Sequence, residues 1–280
     1  MSVRRSARIR LFASYAFLAA VACWSLYPAV WVAVSSFKPG RSLYSAAFLP
    51  DKLTLAHYIE LFQSDSLMFP TWYFNTLKIA LASMATSTLL VTVSAYALSR
   101  FRFRWRKASL GLMMILGMFP GFMSMVAVYI LLMQLGLLNT HAALIIVYSF
   151  GAVIFNLFIA KGFFDTLPKG LEEAARMDGA GNVRIFVRIM LPLSKPMLVF
   201  VALTTFSGAW MDYIFASLVL RSREKWTVAV GLYDMVNSYQ NGYFTLFAAG
   251  AVLIAVPITL LFVYLQRYLV DGLTAGANKG

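Results

Sequence analysis

Few residues in this sequence have side chains that could carry out catalysis or bind a metal. The two histidines, His57 and His141, lie far apart without neighbouring ligand patterns, and Cys23 is the only cysteine. This spacing gives little support to a zinc site and excludes a disulfide within the chain. The sequence has no GxxxxGK[ST] phosphate-binding loop. We therefore predict no catalytic residue, no metal and no cofactor in this chain, and we interpret Cys23, inside an apolar run, as a buried and inert thiol.

The densest group of charged and turn-forming residues is EEAARMDGAGNVRIFVRIMLPLSKP, residues 172–196, which lies between two apolar runs. Pro168 suits the first turn of a helix, because its missing N–H costs nothing at that position. Glu172 and Glu173 place negative charge near the positive end of the helix dipole. Gly179 is typical of a helix stop, since glycine adopts the left-handed conformation without a Cβ clash. These positions predict a short helix that ends in a turn.

A second short helix is predicted after this turn, with Asn182 as its N-cap and Pro192 as its end. Arg184 and Arg188 are four residues apart and share one side of it. The apolar residues that share another side are Ile185, Phe186 and Ile189. Such an apolar face must pack on the membrane surface, on helices of its own chain or in a groove of a partner.

The elements that must position this segment are long apolar helices. With 61% hydrophobic residues, 12% charged residues and a mean hydropathy of +0.75, the chain is too apolar for a soluble protein. A helix needs about 20 apolar residues to cross the hydrocarbon core of a bilayer. The segments that meet this requirement are 11–36, 72–98, 108–135, 141–164, 197–220 and 244–268. We therefore predict an all-α membrane protein with six transmembrane helices.

Proline and glycine are predicted to interrupt two of these helices, at Pro120 and Gly121 in one and at Pro257 in the other. A break frees backbone groups that lipid cannot satisfy, so the broken faces should pack on protein or line a cavity. An ordinary helix kink is the alternative at each of these positions.

The positions of the basic residues predict the orientation, because lysine and arginine near helix ends resist export. With the N-terminus inside, 17 basic residues face the cytoplasm and six face outward. We therefore predict that both termini are cytoplasmic, with residues 1–10 and the tail 269–280 flanking a six-helix domain of residues 11–268. The polar residues 165–196 face the cytoplasm as well. Since topology accounts for the formal charge of +13, nucleic-acid binding is not expected.

The polar segment also matches a family signature without a gap or a substitution. The pattern EAA-x3-G-x9-I-x-LP resembles the EAA signature of ABC importer membrane subunits, and the matching residues are Glu173, Ala174, Ala175, Gly179, Ile189, Leu191 and Pro192. In that family this element is a coupling helix that docks in a cleft of a cytoplasmic ATPase. The resemblance implies the type I permease fold of ABC importers and an ATPase-coupling role for residues 165–196, here called the coupling segment. The residues implied in coupling are the matching ones together with Glu172 and Asp178.

Shorter motifs resemble the smaller, MalG-like membrane subunit of maltose-type ABC importers over nearly the whole chain. They are NTLK (75–78), MFP (118–120), LNTH (138–141), WTVAVG (226–231) and the tail LVDGLTAGANKG (269–280). The resemblance implies a multi-pass protein of the bacterial inner membrane. The partners that it implies are a larger, MalF-like membrane subunit, two MalK-like subunits that bind ATP and Mg, and an extracytoplasmic solute-binding protein. It also implies an oligosaccharide substrate, with maltodextrin as the first choice and trehalose or galacto-oligosaccharides as alternatives.

The same resemblance gives the coupling segment a mechanism. Glu173 is expected to offer its carboxylate to a basic group of the ATPase, while Ala174 and Ala175 permit close approach and Gly179 sets the turn. When the ATPases close on ATP, the docked segment would be drawn inward and the helices beside it would rotate to open the cavity outward. Compensation of the helix dipole alone is the alternative role of Glu173.

Asp212 is the one acid inside an apolar span. It lies about 22 Å from the cytoplasmic edge, counting roughly 1.5 Å per residue from Met197, where a charge is costly unless it faces the helix bundle. It could contact a sugar beside aromatic rings, or it could form a structural hydrogen bond to another helix or to the partner subunit. The candidate residues of the substrate pathway are Trp210, Asp212, Tyr213, Gln134, Tyr148 and Asn156.

A polar loop, residues 221–243, is predicted outside the membrane. Its resemblance to the maltose-type loop implies contact with the docked binding protein, and the candidate contact residues are Asn237, Tyr239, Gln240 and Asn241. Turn residues without a partner are the alternative. A different class of protein, a stand-alone secondary sugar carrier or facilitator, would need charge pairs within its spans for ion coupling, and the sequence offers only Asp212.

Overall fold

The computed structural model describes residues 2–40, 50, 52–64, 67–237 and 243–277, and within these ranges it describes side chains from residue 10 to residue 269. In this described part of the chain all regular secondary structure is helical. The residues group into two units, one of 1–68 with 232–255 and one of 69–231 with 256–280. The coupling segment belongs to the second unit.

The described helices are numbered in chain order. In chain order they are α1 (Ser2–Ser35), α2 (Ala56–Gln63), α3 (Phe69–Arg100), α4 (Arg106–Met118), α5 (Gly121–Gln134), α6 (His141–Thr166), α7 (Gly170–Met177), α8 (Asn182–Ile185), α9 (Leu191–Leu193), α10 (Lys195–Met211), α11 (Ile214–Val219), α12 (Val228–Asn237) and α13 (Phe244–Ala277). A π-helical turn (Phe186–Met190) joins α8 to α9, and a 3-10 turn (Arg223–Lys225) precedes α12.

Four helices are long and apolar enough to cross a membrane without a break. They are α1 over Arg10–Ser35, α3, α6, and α13 over Phe244–Leu269. Two further pairs of helices meet the same criterion only together, because each pair is bent at a short break. If each bent pair is one span, the described chain has six spans. The predicted all-α membrane fold is confirmed at this level.

The segment 108–135, predicted as one span, consists of two helices, α4 and α5, at 105° to each other. Phe119 and Pro120 between them have ψ angles of 130° and 127°. The residue before a proline is pushed out of the α region by the proline ring, and Gly121 then begins α5. The interruption predicted at Pro120 and Gly121 is confirmed, and it is a sharp turn rather than a kink in a continuous helix.

The predicted helix 197–220 is divided as well. α10 ends at Met211, Asp212 is extended with a ψ of 107°, and α11 begins at Ile214. At its other end, α10 makes an angle of 75° with the helical stretch Asn182–Leu193. A continuous helix over 197–220 is therefore wrong, because the backbone leaves the helical conformation at Asp212.

Pro257, by contrast, does not interrupt α13, which is continuous from Phe244 to Ala277. The interruption predicted there is wrong. A proline inside a helix removes one hydrogen bond and crowds the carbonyl four residues before it, but the turns on both sides of Pro257 remain helical. Those turns are apolar over 26 residues, and in lipid the helix is the conformation that satisfies their backbone groups.

The second unit is built around α3, α6 and α10, which pack on one another. The buried face of α3 repeats every three or four residues, and its small or β-branched members are Ala80, Ser83, Ser87, Val91 and Ala95. Small side chains let helices approach closely in a membrane, where the hydrophobic effect gives little preference for helix contact. Ser87 donates a hydrogen bond of 3.0 Å to Thr205 of α10, so polar side chains also join these helices.

α1 packs differently, because over Arg10–Ser35 its side chains are exposed or half-buried, with Ser35 at the end as the one buried residue. Cys23 is exposed on this helix. The prediction of a buried thiol is therefore wrong, since an apolar run alone does not imply contact with the rest of the chain. The surface of α1 is available to lipid or to another subunit.

Candidate functional site

The first half of the coupling segment folds as the sequence predicts. α7 carries Glu172 and Glu173 in its first turn, where the helix dipole favours negative charge. Gly179 follows the helix with a φ of +79°, a conformation that costs glycine little and other residues more. The Gly179 N–H donates to the carbonyl of Arg176 over 3.0 Å. The predicted helix stop at Gly179 is confirmed.

The two adjacent acids of α7 face different surroundings. Glu173 is exposed, whereas the side chain of Glu172 is only 4% exposed. Glu172 Oε1 pairs with Arg100 Nε at 2.5 Å, and the Arg100 side chain is also 4% exposed. Arg176, one turn further along α7, lies 3.7 Å from the second oxygen of Glu172. Glu172 therefore has its partners within the chain, and Glu173 is the acid that can reach a separate protein.

Arg100 joins three helices at this point. It is the last residue of α3, it pairs with Glu172 of α7, and its Nη2 donates to the Leu167 carbonyl just after α6 over 2.9 Å. We call these contacts the Arg100 brace. A second contact joins α3 to α6, because Ser99 donates a hydrogen bond of 2.6 Å to Asp165 near the end of α6. The start of the coupling segment is thereby fixed to the ends of α3 and α6.

The second helix of the coupling segment begins one residue earlier than predicted. Gly181, with a ψ of 161°, is its N-cap, and Asn182 is the first helical residue. The predicted capping role of Asn182 is wrong, since no side-chain hydrogen bond caps this helix. Glycine is an acceptable N-cap, and the short Gly179–Gly181 stretch contains the turn.

The prediction that Pro192 ends this helix is wrong as well. The backbone widens into the π-helical turn Phe186–Met190, and Leu191 N–H bonds to the Phe186 carbonyl five residues back. Pro192 lies just after this turn, in the three residues of α9. A proline has no N–H for the carbonyl four residues before it and its ring clashes with that carbonyl, and a wider turn relieves both problems. The helical stretch ends at Ser194, whose hydroxyl donates to the Met190 carbonyl over 2.7 Å.

The predicted apolar face of this second helix packs mainly on its own chain. Ile185 and Met190 are fully buried in the core cluster of the second unit, and Phe186 and Ile189 are partly buried against it. Tyr96 of α3 connects this cluster to α7, because its ring packs on Phe186 at 4.8 Å and its hydroxyl points to Glu172 at 3.5 Å. The sequence left three possible surfaces for this face: the membrane, helices of the same chain or a partner. In the structure the face packs on helices of the same chain.

Other apolar residues of the coupling segment point outward, and sequence reasoning missed them. Met177 is 88% exposed, Val183 is 77% exposed and Val187 is 48% exposed. They adjoin a groove of about 490 Å³ that is lined by Ala175, Asp178, Ala180, Arg184, Arg188 and Ile189. This surface presents exposed methyl groups, two arginines and the carboxylate of Asp178, and exposed Glu173 lies on the same short helix as Ala175. Such a surface can bind a protein, and its side chains do not form a catalytic set.

Asp212 has a structural role in this chain. Its Oδ2 accepts a hydrogen bond of 2.5 Å from the Tyr148 hydroxyl of α6, and its Oδ1 accepts one of 3.0 Å from the Phe215 N–H at the start of α11. The carboxylate therefore caps α11 and joins it to α6. Of the two roles that the sequence allowed for Asp212, a sugar contact or a structural hydrogen bond to another helix, the structure contains the hydrogen bond. Two charge-assisted hydrogen bonds also explain how an acid is accommodated here.

The structure does not bring the other candidate pathway residues together in one site. Trp210 is 1% exposed and packs edge-on against Tyr73 with ring centroids 5.0 Å apart. Asn156 is 2% exposed and donates to the Ala152 carbonyl of its own helix. Gln134 is exposed at the end of α5, and Tyr213 lies half-buried in the break before α11.

Replacement of Tyr148 by phenylalanine tests the structural role of Asp212. The variant removes one hydrogen bond to a carboxylate, so we expect the free energy of unfolding to fall by about 1.5–3 kcal/mol, with an unchanged KM for sugar uptake. Thermal unfolding of the detergent-solubilised assembly and uptake kinetics provide the two measurements. Tyr129→Phe, which removes an exposed hydroxyl that accepts from Arg221, is the matched control. A raised KM with unchanged stability would instead make Tyr148 a sugar contact.

Of the predicted binding-protein contacts, the structure describes only Asn237. It is the last residue of α12, it is exposed, and its side chain donates to the Tyr233 carbonyl over 3.2 Å. Tyr239, Gln240 and Asn241 lie outside the described residues.

A polar clamp holds the segment that begins this loop, residues 221–228, and sequence reasoning missed it. Asn139, with a φ of +59°, accepts the backbone N–H groups of Arg221 and Ser222 on its side-chain oxygen, each over 3.0 Å. Its own carbonyl accepts from Lys225 Nζ over 2.9 Å. An asparagine can adopt this left-handed conformation more readily than most residues. Asn139 lies in the LNTH motif, which indicated a family resemblance in the sequence but did not predict these contacts.

α3 provides the other side of the clamp. Trp72 Nε1 donates to the Arg223 carbonyl over 2.8 Å, and Asn75 Nδ2 donates to the carbonyls of Glu224 and Trp226. The Trp72 ring also packs directly on Gly231: its nearest atom is about 2.0 Å from the position that a Cβ on residue 231 would occupy, so a larger residue would clash. The motifs NTLK, LNTH and WTVAVG therefore meet in one place, because their side chains satisfy the backbone of a segment that has little regular structure.

A protein-family model described as "Binding-protein-dependent transport system inner membrane component" matches residues 87–274. Two similar proteins come from Bacillus subtilis (strain 168). The galactooligosaccharides transport system permease protein GanQ is 45% identical and the alignment covers 100% of this chain and 99% of GanQ. The maltodextrin transport system permease protein MdxG is 40% identical, with 100% of both chains covered. The predicted resemblance to maltose-type permeases is confirmed at the level of the family.

The fold is similar to that of a solved structure as well. A crystal structure of a bacterial ABC transporter, described as involved in the import of the acidic polysaccharide alginate, contains a chain with a TM-score of 0.81. The two chains are 25% identical, and the match covers 94% of this chain and 98% of the other. The predicted permease fold is confirmed by this match, whereas the orientation of the termini is not tested by it.

Proposed function

Because this chain belongs to the family of binding-protein-dependent transport system inner membrane components, we propose that it forms half of an oligosaccharide pathway and receives its motion through the coupling segment. The chain is a multi-pass permease subunit of a sugar ABC importer, and it is a transport component rather than an enzyme. Its partners in this proposal are a second membrane subunit, two ATPase subunits and an extracytoplasmic binding protein. Helix α1, with most of its apolar length exposed, is suited to contact with the second membrane subunit.

The surface around Glu173 is the observation that carries the proposal. Glu173 is exposed on α7, and Gly179 after this helix is in the left-handed conformation. Ala175 on the same helix lines the groove of about 490 Å³ together with Asp178 and the second half of the segment. A carboxylate near a helix N-terminus with small neighbouring residues allows a partner helix or strand to approach closely. We assign this surface to the ATPase, with Glu173 paired to a basic group across the interface.

The Arg100 brace gives the motion a route into the membrane. When the ATPases move α7, the buried pair of Glu172 with Arg100 moves the end of α3, and the Leu167 carbonyl moves the end of α6. The buried Ile185 and Met190 connect the second half of the segment to the same core. α3, α6 and α10 thus respond together, which extends the mechanism expected from the sequence, in which only the helices flanking the segment rotate.

The proposal places the coupling segment and both termini in the cytoplasm, following the distribution of basic residues. Residues 1–10, 100–107, 161–195 and 267–279 together carry 17 of the 24 basic residues of the chain, and such residues resist export. The extracytoplasmic side then contains the polar clamp and the loop 221–243, where the binding protein would dock. The sugar pathway runs between these two sides.

A neutral oligosaccharide of the galacto-oligosaccharide or maltodextrin type is the proposed substrate. GanQ and MdxG, at 45% and 40% identity over the full chain, are permeases named for these two classes. The higher identity to GanQ favours galacto-oligosaccharides over maltodextrin, the first choice from the sequence. Competition between the two sugars for uptake by the same assembly decides between them.

A crosslinking pair tests the docking surface. In a Cys23→Ser background, Ala174→Cys is expected to crosslink to an ATPase subunit, because residue 174 is exposed on α7. Ala175→Cys is the matched control, since Ala175 is only 9% exposed and a cysteine at this position should react much less. The measurement is a denaturing gel of the whole assembly after treatment with a short bifunctional thiol reagent. Equal products from both positions, or labelling of residue 174 only from the extracytoplasmic side, would contradict the proposal.

A further inference from the structure

Residues 101–107, FRFRWRK, form a basic and aromatic link between α3 and α4 that the transport mechanism does not use. The segment has arginine or lysine at four positions and an aromatic residue at the other three, without a carboxylate. Here we call it the basic–aromatic link. It lies directly at the end of the apolar helix α3 and leads into the apolar helix α4. Its position is therefore the boundary between lipid and water.

The backbone of the basic–aromatic link is a short non-helical connection. Residues 101–103 have no helical structure, and α4 begins only at Arg106. Residues 104–105 form a turn, closed by a hydrogen bond of 3.2 Å from the Arg106 N–H to the Phe103 carbonyl. The link thus presents aromatic rings and basic groups next to one another on a short non-helical segment.

The link is held in place by contacts to α3. Arg106 Nε donates to the Leu98 carbonyl over 2.6 Å, which closes the chain back onto the end of α3. The Phe101 ring packs edge-on against buried Tyr96, with centroids 5.7 Å apart. Arg104 lies over the ring of Trp105 at 5.7 Å. The segment is thus a fixed surface, so its exposed side chains have a defined arrangement.

The outward side chains of the link have neither an apolar cover nor a counter-charge. Trp105 is 66% exposed and Phe103 is 44% exposed. Arg102, Arg104 and Lys107 are exposed, and none of the ion pairs among the described side chains includes them. Exposed rings beside unpaired cations at the end of a membrane helix require an amphipathic and anionic neighbour.

We propose that the basic–aromatic link binds the headgroups of anionic phospholipids. The guanidinium groups of Arg102 and Arg104 offer paired N–H donors to phosphate oxygens, and Lys107 adds a further positive charge. Trp105 and Phe103 lie at the level of the headgroups, where aromatic side chains of membrane proteins collect. The link thereby fixes the depth of the α3–α4 corner in an anionic leaflet, a property separate from transport itself.

An adjoining groove supports an anionic ligand on this side of the protein. It has a volume of about 450 Å³, and its charged lining residues are Arg100, Arg102, Arg106, Lys169, Arg176, Asp165, Glu172 and Glu173. Glu172 is paired with Arg100, and Asp165 is paired with Lys161. The charge that remains is positive, so a lipid phosphate at Arg102 is not repelled.

The test measures lipid retention by the whole purified assembly, independently of uptake. Equal amounts of phosphatidylglycerol and phosphatidylcholine are added in detergent, and the lipids that remain bound are counted by native mass spectrometry. The wild-type protein is expected to retain phosphatidylglycerol preferentially. A basic residue near an anionic surface contributes about a fivefold gain in affinity, so R102Q/R104Q/K107Q should lower phosphatidylglycerol binding on the order of 100-fold.

Two matched variants separate charge from shape. R102K/R104K keeps the positive charge and should keep most of the preference, whereas Trp105→Ala should weaken retention of both lipids alike. Lys52→Gln, an exposed basic residue elsewhere in the chain, should leave retention unchanged. Because these side chains are exposed, the melting temperature of each variant should equal that of the wild type.

Three results would overturn the proposal. The first is equal phosphatidylglycerol retention by the wild type and the triple variant. The second is displacement of the lipid by inorganic phosphate alone, which would show a site for free phosphate rather than a membrane surface. The third is release of the ATPase subunits by the triple variant with lipid retention unchanged, which would make the link a protein-docking surface.

Discussion

Glu173→Lys is expected to lower sugar uptake and sugar-stimulated ATP hydrolysis about 100-fold, in an assembly that still inserts in the membrane. The proposed interface pairs Glu173 with a basic group, and loss of one partner of such a pair costs about 2–5 kcal/mol. The alternative role, compensation of the helix dipole alone, is worth about 0.3–1 kcal/mol at an exposed position. That role would predict less than about a tenfold loss, so the size of the effect distinguishes the two.

Gly179→Pro is expected to uncouple the assembly to a similar extent by a different route. Proline fixes φ near −65°, whereas Gly179 has a φ of +79° and uses its N–H for the helix-closing hydrogen bond. Gly179→Ala is the milder comparison, since no atom lies within 4 Å of its Cβ position and only the backbone conformation opposes it. Ala there should cost about 1–2 kcal/mol and retain part of the activity.

Uptake and ATP hydrolysis in reconstituted vesicles measure both variants. Leu53→Ala, an exposed side chain outside the coupling segment, is the control for general surface change. Full coupling in both Glu173→Lys and Gly179→Pro would remove the coupling segment from the mechanism.

The second large effect is expected at the Arg100 brace. Glu172→Gln leaves the buried guanidinium of Arg100 without its charge partner, and such a loss typically costs 3–5 kcal/mol. We expect a marked fall in the melting temperature of the assembly and little folded protein in the membrane. Lys161→Gln is the matched control, because the Lys161–Asp165 pair is an exposed i,i+4 pair worth about 0.3–0.5 kcal/mol.

A charge exchange keeps this prediction testable when the single variants do not fold. Arg100→Glu with Glu172→Arg restores opposite charges at the same two positions, so the double variant should recover more stability than either single variant. Coupled ATP hydrolysis then reports on the proposed route, because a brace that transmits motion should recover uptake together with stability. Additive effects of the two substitutions in a double-mutant cycle would show that the pair does not act as a unit.

The sequence predicted the spans from the length of the apolar runs, and it predicted their breaks less well. Pro120 and Pro257 gave the same signal, yet the chain turns by 105° at the first and continues as a helix through the second. Phe119 before Pro120 takes an extended conformation and Gly121 starts a new helix, whereas Pro257 lies well inside a helix that lipid favours. The presence of a proline alone therefore does not predict whether a helix breaks, because the outcome depends on the neighbouring residues.

The coupling segment shows a similar limit. Helix dipole rules placed both Glu172 and Glu173 in the first turn of α7, which the structure confirms. Their different roles depend on Arg100, 72 residues earlier in the chain, and no local pattern could predict that contact. The polar clamp depends in the same way on Asn139 and on residues more than 80 positions later.

The unburied helix α1 has a consequence for bilayer thickness. Its apolar part of 26 residues is about 39 Å long at 1.5 Å per residue, longer than a hydrocarbon core of about 30 Å. Since the side chains over most of its length are exposed, α1 can match a thin or a thick bilayer by tilting, at a small cost per ångström of hydrophobic mismatch. α3, which is held by α6 and α10, lacks that freedom, so changes in acyl-chain length should be absorbed at the amino-terminal helix first.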